Sequence, residues 1–338
     1  MLVESRIVGA VLATAALSLA VWLRPSDTPE VERAEITIDS RTPITPLEAP
    51  PGLAADEVAL GRRLFHEKAL SRDWSVSCAT CHPLAMGGAD RRARSVGVGG
   101  AVGLRNTPTV YNSGLNPYQF WDGRATSLEE QVSGPLLGEH EMASSWALAL
   151  ARIEADDGLA RAFRAVYGGE ATRERVRHAL ATYERSLVTV NSPFDRSLRG
   201  EAGAISAEAQ RGYELFVSLG CASCHQGANV GGNLFQVYGA VGERGLMGAA
   251  TAGNDLGRFN VTGREEDRHV FRVPSLRLAA LTPPYLHDGS VQTLDEAIAL
   301  MGRLQLGREL AAADRAAIAA FLGSLVGTLD PGEAPDAP

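Results

Sequence analysis

The strongest constraint on this chain is the pattern C-x-x-C-H, which occurs twice, at residues 78–82 and 221–225. Cysteines in this pattern form thioether bonds to a haem, and the following histidine becomes an axial ligand of the iron. The two copies use all four cysteines. A disulfide framework or a redox pair would not explain the histidines, and zinc needs more clustered ligands. We predict two covalently bound haem c groups. The predicted binding residues are Cys78, Cys81, His82, Cys221, Cys224 and His225.

Composition limits the class of protein further. The formal net charge is −8 and no basic run stands out, which argues against a nucleic-acid partner. Alanine, leucine, glutamate and arginine dominate, and these residues favour helix. The 338 residues are enough for two domains of ordinary size. We therefore predict a mainly α protein with two domains.

An uncharged apolar stretch covers residues 7–23, between Arg6 and Arg24. As a helix it would be about 25 Å long, close to the shortest length that spans a bilayer. Residues 18–20 fit a signal-peptidase site, so a cleaved signal peptide is one interpretation. The apolar run continues past that site, which favours a retained inner-membrane anchor. Both interpretations predict export, and we expect a periplasmic protein.

An internal echo indicates two related domains. The pattern G-x-x-L-F precedes each haem motif, at residues 61–65 and 212–216. We expect two cytochrome c-like single-haem domains with a boundary where proline and glycine cluster. The predicted divisions are a signal or anchor helix at 1–24, a Pro-rich tether at 25–52, an N-terminal haem domain at 53–195 and a C-terminal haem domain at 196–330.

Apolar spacing and capping residues predict several individual elements. The first predicted helix has Asp56 and Glu57 in its first turn and Leu60, Leu64 and Phe65 on one face. Further helices are predicted over residues 143–167 and 172–190, with a capped helix from 293 that stops at Gly302 and a last helix over about 310–326. The glycine-rich segment 226–263 is long for a loop without structure, so we expect it to wrap a cofactor.

The remaining histidines and methionines decide what each haem can do, because they are the possible second ligands of the irons. An iron with two protein ligands transfers electrons, whereas an iron with an open coordination position binds small molecules. Met301 closes the capped helix, where it is either an iron ligand or a core methionine. His66 and His269 lie among charged residues and are expected to be exposed. The other donors are His140, His178, His287, Met86, Met142 and Met247.

Longer runs resemble one family, the bacterial dihaem cytochrome c peroxidases, which also includes the MauG-type enzymes. The matching runs keep their order and spacing over residues 53–325. They lie at residues 105–112, 119–124, 129–131, 134–135 and 141–142 in the first half, and at 271–276, 281–290, 301 and 305–307 in the second.

The resemblance implies how electrons travel. His225 and Met301 would ligate the second-domain haem, where a methionine ligand raises the potential. That haem would therefore accept electrons from a donor. Trp121 would lie between the haems as the electron relay. MauG has a tyrosine in place of Met301, so the methionine favours the peroxidase branch.

The resemblance also implies an acid–base site and a calcium site. Glu141 would take a proton from one peroxide oxygen and return it to the leaving oxygen, so that water departs. Gln131 would lie beside it. A Ca²⁺ ion between the domains would bind Asn106 and the backbone carbonyls of Thr282 and Pro284, which is an oxygen-only ligand set.

One position departs from the family pattern. Many of these peroxidases have a histidine sixteen residues after His82, where it blocks the first haem until the other is reduced. Here that residue is Val98, and no histidine lies between His82 and His140. We therefore expect the first haem to be open without reductive activation. His140 is the nearby residue that could block it instead.

Together these features predict a dihaem peroxidase that reduces hydrogen peroxide to water. Its electrons would come from a small cytochrome c or a cupredoxin, or from quinol if the anchor is retained. The alternatives are a MauG-like oxidase acting on a partner protein and a pure electron-transfer cytochrome. The resemblance also implies a homodimer.

Overall fold

The computed structural model of the chain describes residues 43–241 and 255–329. The predicted signal or anchor helix at 1–24 lies outside these residues, as does the tether up to residue 42. Across the two described stretches, none of the helices combines the length and apolar character needed to cross a membrane.

Helices dominate the described residues, so the predicted mainly α class is confirmed. The longer helices are α1 (Ala55–His66), α5 (Trp146–Ala155), α6 (Asp157–Tyr167), α7 (Arg173–Ser186), α9 (Ala207–Ser218), α11 (Leu294–Leu306) and α12 (Ala312–Ser324). The shorter ones are α2 (Cys78–Cys81), α3 (Leu128–Gln131), α4 (Ser133–Leu137), α8 (Pro193–Leu198) and α10 (Phe259–Thr262). Strands β1 (Phe235–Val237) and β2 (Val270–Arg272) pair antiparallel.

Several predicted helix boundaries were wrong. The helix predicted over 172–190 ends at Ser186 as α7, and the one predicted over 310–326 is the shorter α12. The stretch 143–167 forms α5 and α6, because extended Asp156 separates them and its carboxylate caps α6 at the Leu159 amide, 2.7 Å away. Helix α11 begins at its capping box as predicted but continues through Gly302. It ends at Gly307, whose φ of +64° is the left-handed conformation of a C-terminal cap.

The first core is built around the crossing of α1 and α7. Gly61 lies where the helices touch, and a Cβ there would overlap the carbonyl oxygen of Ala179 and lie 2.7 Å from the Tyr183 Cβ. Phe65, one turn later, packs edge-on against the Tyr183 ring with centroids 5.3 Å apart. Glycine at position 61 therefore sets the distance between these helices.

The second core repeats this crossing with α9 and α12. A Cβ at Gly212 would overlap the Ala317 carbonyl oxygen and lie 2.9 Å from the Phe321 Cβ. The Phe216 and Phe321 rings are 5.1 Å apart. The echo in the sequence thus corresponds to the same helix contact, made twice.

Part of the predicted tether packs into the second core. Ile44 and Leu47 are each 1% exposed, and the Leu47 amide donates to the Asp195 carboxylate at 3.2 Å. The prediction of an unpacked tether over 25–52 was therefore wrong for residues 43–47. Proline content indicated an extended backbone, but it carried no information on burial.

Candidate functional site

The first C-x-x-C-H motif forms a short, capped helical turn. The hydroxyls of Ser77 and Thr80 form a capping box at the start of α2, and His82 follows its last turn. The His82 Nδ1 lies 3.0 Å from the Gly88 carbonyl oxygen. With Nδ1 donating to that oxygen, Nε2 is left to bind a metal, as is usual for an iron-ligating histidine. This turn fits a covalently bound haem.

The second motif begins after α9, where Gly220 reverses the chain with φ of +97°. Burial lowers the pKa of His225 to about 4, which keeps its imidazole in the neutral form that binds metals. Its Nδ1 is buried and lacks a hydrogen-bond partner among the described residues. This buried, neutral histidine fits the role of an axial ligand.

A cavity of about 400 Å³ opens beside the second motif. Cys221, Cys224 and His225 line it together with Met301, so the structure brings the predicted ligands of the second haem around one space. Apolar side chains complete the wall, namely Phe216, Phe271, Leu276, Ile318 and Leu322. Paired cysteines, a histidine and a methionine around an apolar space suit a haem with two protein ligands. Gln236 and Tyr238 also line it, so the described part of segment 226–263 reaches the cofactor site.

Trp121 lines the same cavity and is held by three neighbours. Its indole N–H donates to the Asn106 carbonyl oxygen at 2.9 Å. Its own carbonyl accepts from the Arg272 amide at 2.8 Å. The ring of buried His287 stands edge-on, with centroids 6.4 Å apart. The indole therefore has a fixed orientation at the cavity wall.

The predicted calcium residues also lie at this cavity. Asn106, Thr282 and Pro284 line it, although they are far apart in sequence. The Asn106 side-chain amide donates to the Arg92 carbonyl oxygen at 2.9 Å, which leaves its own oxygen to accept other contacts. These three residues offer oxygen atoms only, which is the donor type that suits calcium.

Glu141 lies in the turn after α4 and is an exposed residue. Burial by the surrounding chain raises the pKa of its carboxyl above the ordinary value, although the charges of Arg124 and His140 act in the opposite direction. Burial raises the pKa of the Cys78 and Cys81 thiols, and the Glu141 charge adds a smaller effect in the same direction. Glu141 therefore lies near the first haem-binding turn.

Gln131 is half-buried at the last residue of α3. Within the described stretches it makes no hydrogen bond to Glu141, so the structure does not join this predicted pair directly. Val98 is only 2% exposed and packs in the first core. His140 is exposed, whereas His66 and His269 are half-buried, so the prediction that those two are exposed was wrong. Met247 lies outside the described residues.

Arg272 is a site residue that sequence reasoning missed. Its guanidinium lines the cavity, and burial lowers its pKa to about 10. Its Nη1 lacks a hydrogen-bond partner in the described chain, whereas Nε donates to the Phe120 carbonyl oxygen at 3.2 Å. The motif at 271–276 contained this arginine, but only the pairing of β1 with β2 places it at the cavity.

Comparison with known proteins agrees with these features. A family profile described as di-haem cytochrome c peroxidase matches residues 55–203. The chain is 44% identical over 322 residues to cytochrome c peroxidase Ccp of Escherichia coli, which covers 95% of this chain and 67% of that protein. It is 41% identical over 286 residues to cytochrome c551 peroxidase of Nitrosomonas europaea, covering 84% of each.

A solved structure agrees as well. The crystal structure of a MauG-like protein associated with microbial copper homeostasis is 30% identical, with a TM-score of 0.72, and the match covers 84% of this chain and 93% of that one. The chain belongs to the dihaem cytochrome c peroxidase family and is a haem-dependent peroxidase.

Proposed function

We propose that this enzyme reduces hydrogen peroxide to water in the periplasm, with electrons from a small redox carrier, either a cytochrome c or a cupredoxin. The observation that carries the proposal is the single cavity at which His225, Met301 and Trp121 meet. The bound haem groups supply the electron-transfer and peroxide chemistry, and the protein supplies ligands, orientation and proton transfer. The two repeated helix crossings support a division into two single-haem domains, near residues 53–195 and 196–330. A homodimer and an inner-membrane anchor at 1–24 remain part of this proposal.

The second haem would be held by thioether bonds to Cys221 and Cys224, with His225 and Met301 as iron ligands. A methionine ligand raises the reduction potential, which suits a group that accepts electrons from a donor. Arg272 provides a buried positive charge at the cavity, and a haem propionate would satisfy its unpartnered Nη1. Burying this arginine without an anion would be costly, because the cation loses its water.

The first haem would be held by Cys78, Cys81 and His82, with Glu141 as the acid–base group. The raised pKa of the Glu141 carboxyl brings its proton affinity closer to that needed for transfer near neutral pH. Glu141 would accept a proton from peroxide and return it to the departing oxygen. Gln131, at the end of α3, would orient the bound peroxide.

A Ca²⁺ ion would bind at Asn106, Thr282 and Pro284. Because the carbonyl oxygen of Asn106 also holds the Trp121 indole, an ion at this point would stabilise the relay. Calcium coordinates flexible sets of oxygen ligands and waters. The site would therefore connect metal binding to electron transfer between the two haems.

A MauG-like oxidase acting on a partner protein is the second candidate, because Val98 replaces the blocking histidine. Met301 weighs against it, since MauG-type enzymes have a tyrosine there. The two functions differ in their electron flow. A peroxidase consumes electrons from a reduced carrier, whereas an oxidase withdraws them from the partner protein.

The test combines turnover with potentiometry. We expect the purified dihaem protein to oxidise a reduced small cytochrome c steadily when peroxide is added. Met301→His should lower the potential of the second haem, within the roughly 0.8 V range that axial ligands span. Met142→Leu, a volume-conserving change in the first core, is the matched control and should leave that potential unchanged. Absence of turnover, or an unchanged potential in Met301→His, would overturn the proposal.

A further inference from the structure

A small hairpin at residues 95–103 packs against the Glu141 turn. Val96 and Val102 form an antiparallel bridge, and the Gly97 amide donates to the Ala101 carbonyl oxygen at 2.8 Å. The Gly103 amide donates to Ser95 at the same distance. The hairpin is anchored in the first core, because Val98 is almost fully buried there. It is therefore a fixed support rather than a free loop.

The hairpin contacts the Glu141 backbone directly. The Val98 amide donates to the Glu141 carbonyl oxygen at 2.8 Å. Gly97 lies so close that a Cβ would overlap the carbonyl oxygens of His140 and Glu141 and would lie 2.8 Å from the Glu141 Cα. Gly97 itself is extended, with φ of −93° and ψ of −162°, a conformation open to any residue. Contact with Glu141, and not backbone strain, is what requires glycine here.

The opposite side of Glu141 is also held. Its amide donates to the Gly138 carbonyl oxygen at 3.0 Å, and the Met142 amide donates to Pro135 at 3.0 Å. The backbone on both sides of the Glu141 side chain is thus bonded, so its Cα cannot move without breaking one of these contacts. Correct placement of an acid–base group matters, since a shift of about 1 Å can cost about 100-fold in rate.

We propose that Gly97 and the Val98 amide are positioning elements for peroxide reduction. They fix the Glu141 backbone so that its carboxylate is held ready for proton transfer. This inference rests on the role proposed above for Glu141. The charged groups that act on this carboxylate are Arg124 and His140, and neither is altered in the tests below.

The first test compares two glycines of the same hairpin. Gly97→Ala introduces the overlap with Glu141, whereas a Cβ at Gly103 would lie 3.4 Å from the Ser95 carbonyl oxygen, which is an ordinary contact. We expect Gly97→Ala to lower kcat/KM for peroxide at least tenfold. Its acid limb should also move to lower pH, because a displaced carboxylate gains water. Gly103→Ala should have the wild-type kcat/KM for peroxide and the wild-type acid limb. Equal behaviour of the two variants would overturn the proposal.

A second pair of variants, both at Val98, tests the hydrogen bond from its amide to the Glu141 carbonyl oxygen. This pair tests the positioning role even if Gly97→Ala fails to fold. Val98→Pro removes the amide proton, and proline suits the first residue of the helical turn at 98–100 after an extended residue. Val98→Ala removes side-chain packing but keeps the amide. We expect Val98→Pro to react with peroxide at least tenfold more slowly than Val98→Ala. Equal rates would contradict the positioning role.

Glu141→Gln distinguishes a failure of the acid–base role of Glu141 from a failure of the positioning role of Gly97 and the Val98 amide. If it retains full peroxide activity, the proposed function of Glu141 fails, and the positioning role fails with it. If it loses activity while Gly97→Ala and Val98→Pro keep theirs, only the positioning role is wrong. Optical spectra of both haems and the thermal midpoint, recorded for every variant, show whether cofactor attachment and folding are intact.

Discussion

The guanidinium of Arg105 forms two hydrogen bonds with the carboxylate of Asp255, 2.7 Å from Nε to Oδ2 and 2.6 Å from Nη2 to Oδ1. Its third nitrogen, Nη1, donates to Asp122 at 2.7 Å. Asp122 follows Trp121, and Asn106, the residue after Arg105, accepts the indole proton of Trp121. One arginine therefore ties together the segments that hold the proposed relay.

We expect Arg105→Gln to lower the free energy of unfolding by about 1–3 kcal/mol, because hydrogen bonds to charged partners are lost at a mostly buried site. Turnover with a reduced donor should fall as well, since Trp121 loses its support. Arg105→Lys keeps the charge but not the paired hydrogen bonds. Its free energy of unfolding and its turnover should therefore lie between those of Arg105→Gln and the wild type. Urea unfolding and kcat measure these effects, and wild-type values for Arg105→Gln would contradict them.

The Asp255 carboxyl should make this stabilisation sensitive to acid. Burial raises its pKa, but the hydrogen bond and charge of Arg105 outweigh burial and hold the pKa below 3.8. The contribution is therefore complete above the unfolded value near 3.8 and is lost as pH falls through the lower folded value. In Arg105→Gln the contribution of the ionised Asp255 carboxylate to stability should be smaller. If the stabilities of the wild type and Arg105→Gln changed identically with pH below 4, this role of Asp255 would be wrong.

The pH dependence of peroxide reduction should follow Glu141. Burial raises the pKa of its carboxyl above 4.5, and only the ionised form accepts a proton. The rate should therefore fall with decreasing pH at a midpoint above 4.5. Glu141→Gln should lose about 10²–10⁴-fold in kcat/KM. Glu139→Gln, an exposed neighbour in the same turn, is the control and should retain the wild-type profile. A midpoint at or below the ordinary glutamate value would refute the assignment.

The crossing of α9 and α12 predicts that glycine-to-alanine substitution has opposite effects at Gly212, which lies in the crossing, and at Gly323, which does not. Gly212→Ala places a methyl group against the Ala317 carbonyl and should destabilise the protein by about 3 kcal/mol or more. Gly323 lies in α12, and a Cβ there meets nothing within 4 Å. Gly323→Ala should therefore stabilise by up to about 1 kcal/mol, because alanine has the higher helix propensity. Thermal unfolding distinguishes them, and a shift of the same sign in both would be inconsistent with the close contact.

The packing of residues 43–47 can be tested by truncating a side chain. Ile44→Ala should cost about 2–5 kcal/mol, as for other fully buried isoleucines. Val261→Ala, at a side chain that is 45% exposed, is the control and should cost far less. Equal losses in urea unfolding would show that the segment is not part of the core. The buried ion pair of Arg277 and Asp195, 2.9 Å apart, lies beneath this segment.

The parts of the fold that depend on residues close together in the sequence could be predicted from it. The haem-binding turns are contiguous motifs, and α1 and α11 begin at residues whose capping or charge suits a helix N-terminus. The echo around Gly61 and Gly212 indicated two similar domains, although it did not reveal that both glycines lie at helix crossings. That required the positions of α7 and α12.

The remaining features depend on contacts between distant residues. Leu47 is buried beside Asp195, which is 148 residues away and accepts its amide proton. Arg272 lies at the cavity because β2 pairs with β1. The glycine at position 97 is explained only by its contact with Glu141. No local pattern carries this information, because each contact is determined by the tertiary fold.

The most direct test of an open peroxidatic haem is an EPR spectrum, with an optical spectrum, of the fully oxidised protein as isolated. Val98 is buried and bonded to Glu141, so we predict a high-spin five-coordinate signal from the first haem beside a low-spin His/Met signal from the second. Such a protein would react with peroxide at once. Two low-spin haems would contradict an open site and would show that a sixth ligand blocks the first haem, with His140 as the first residue to replace.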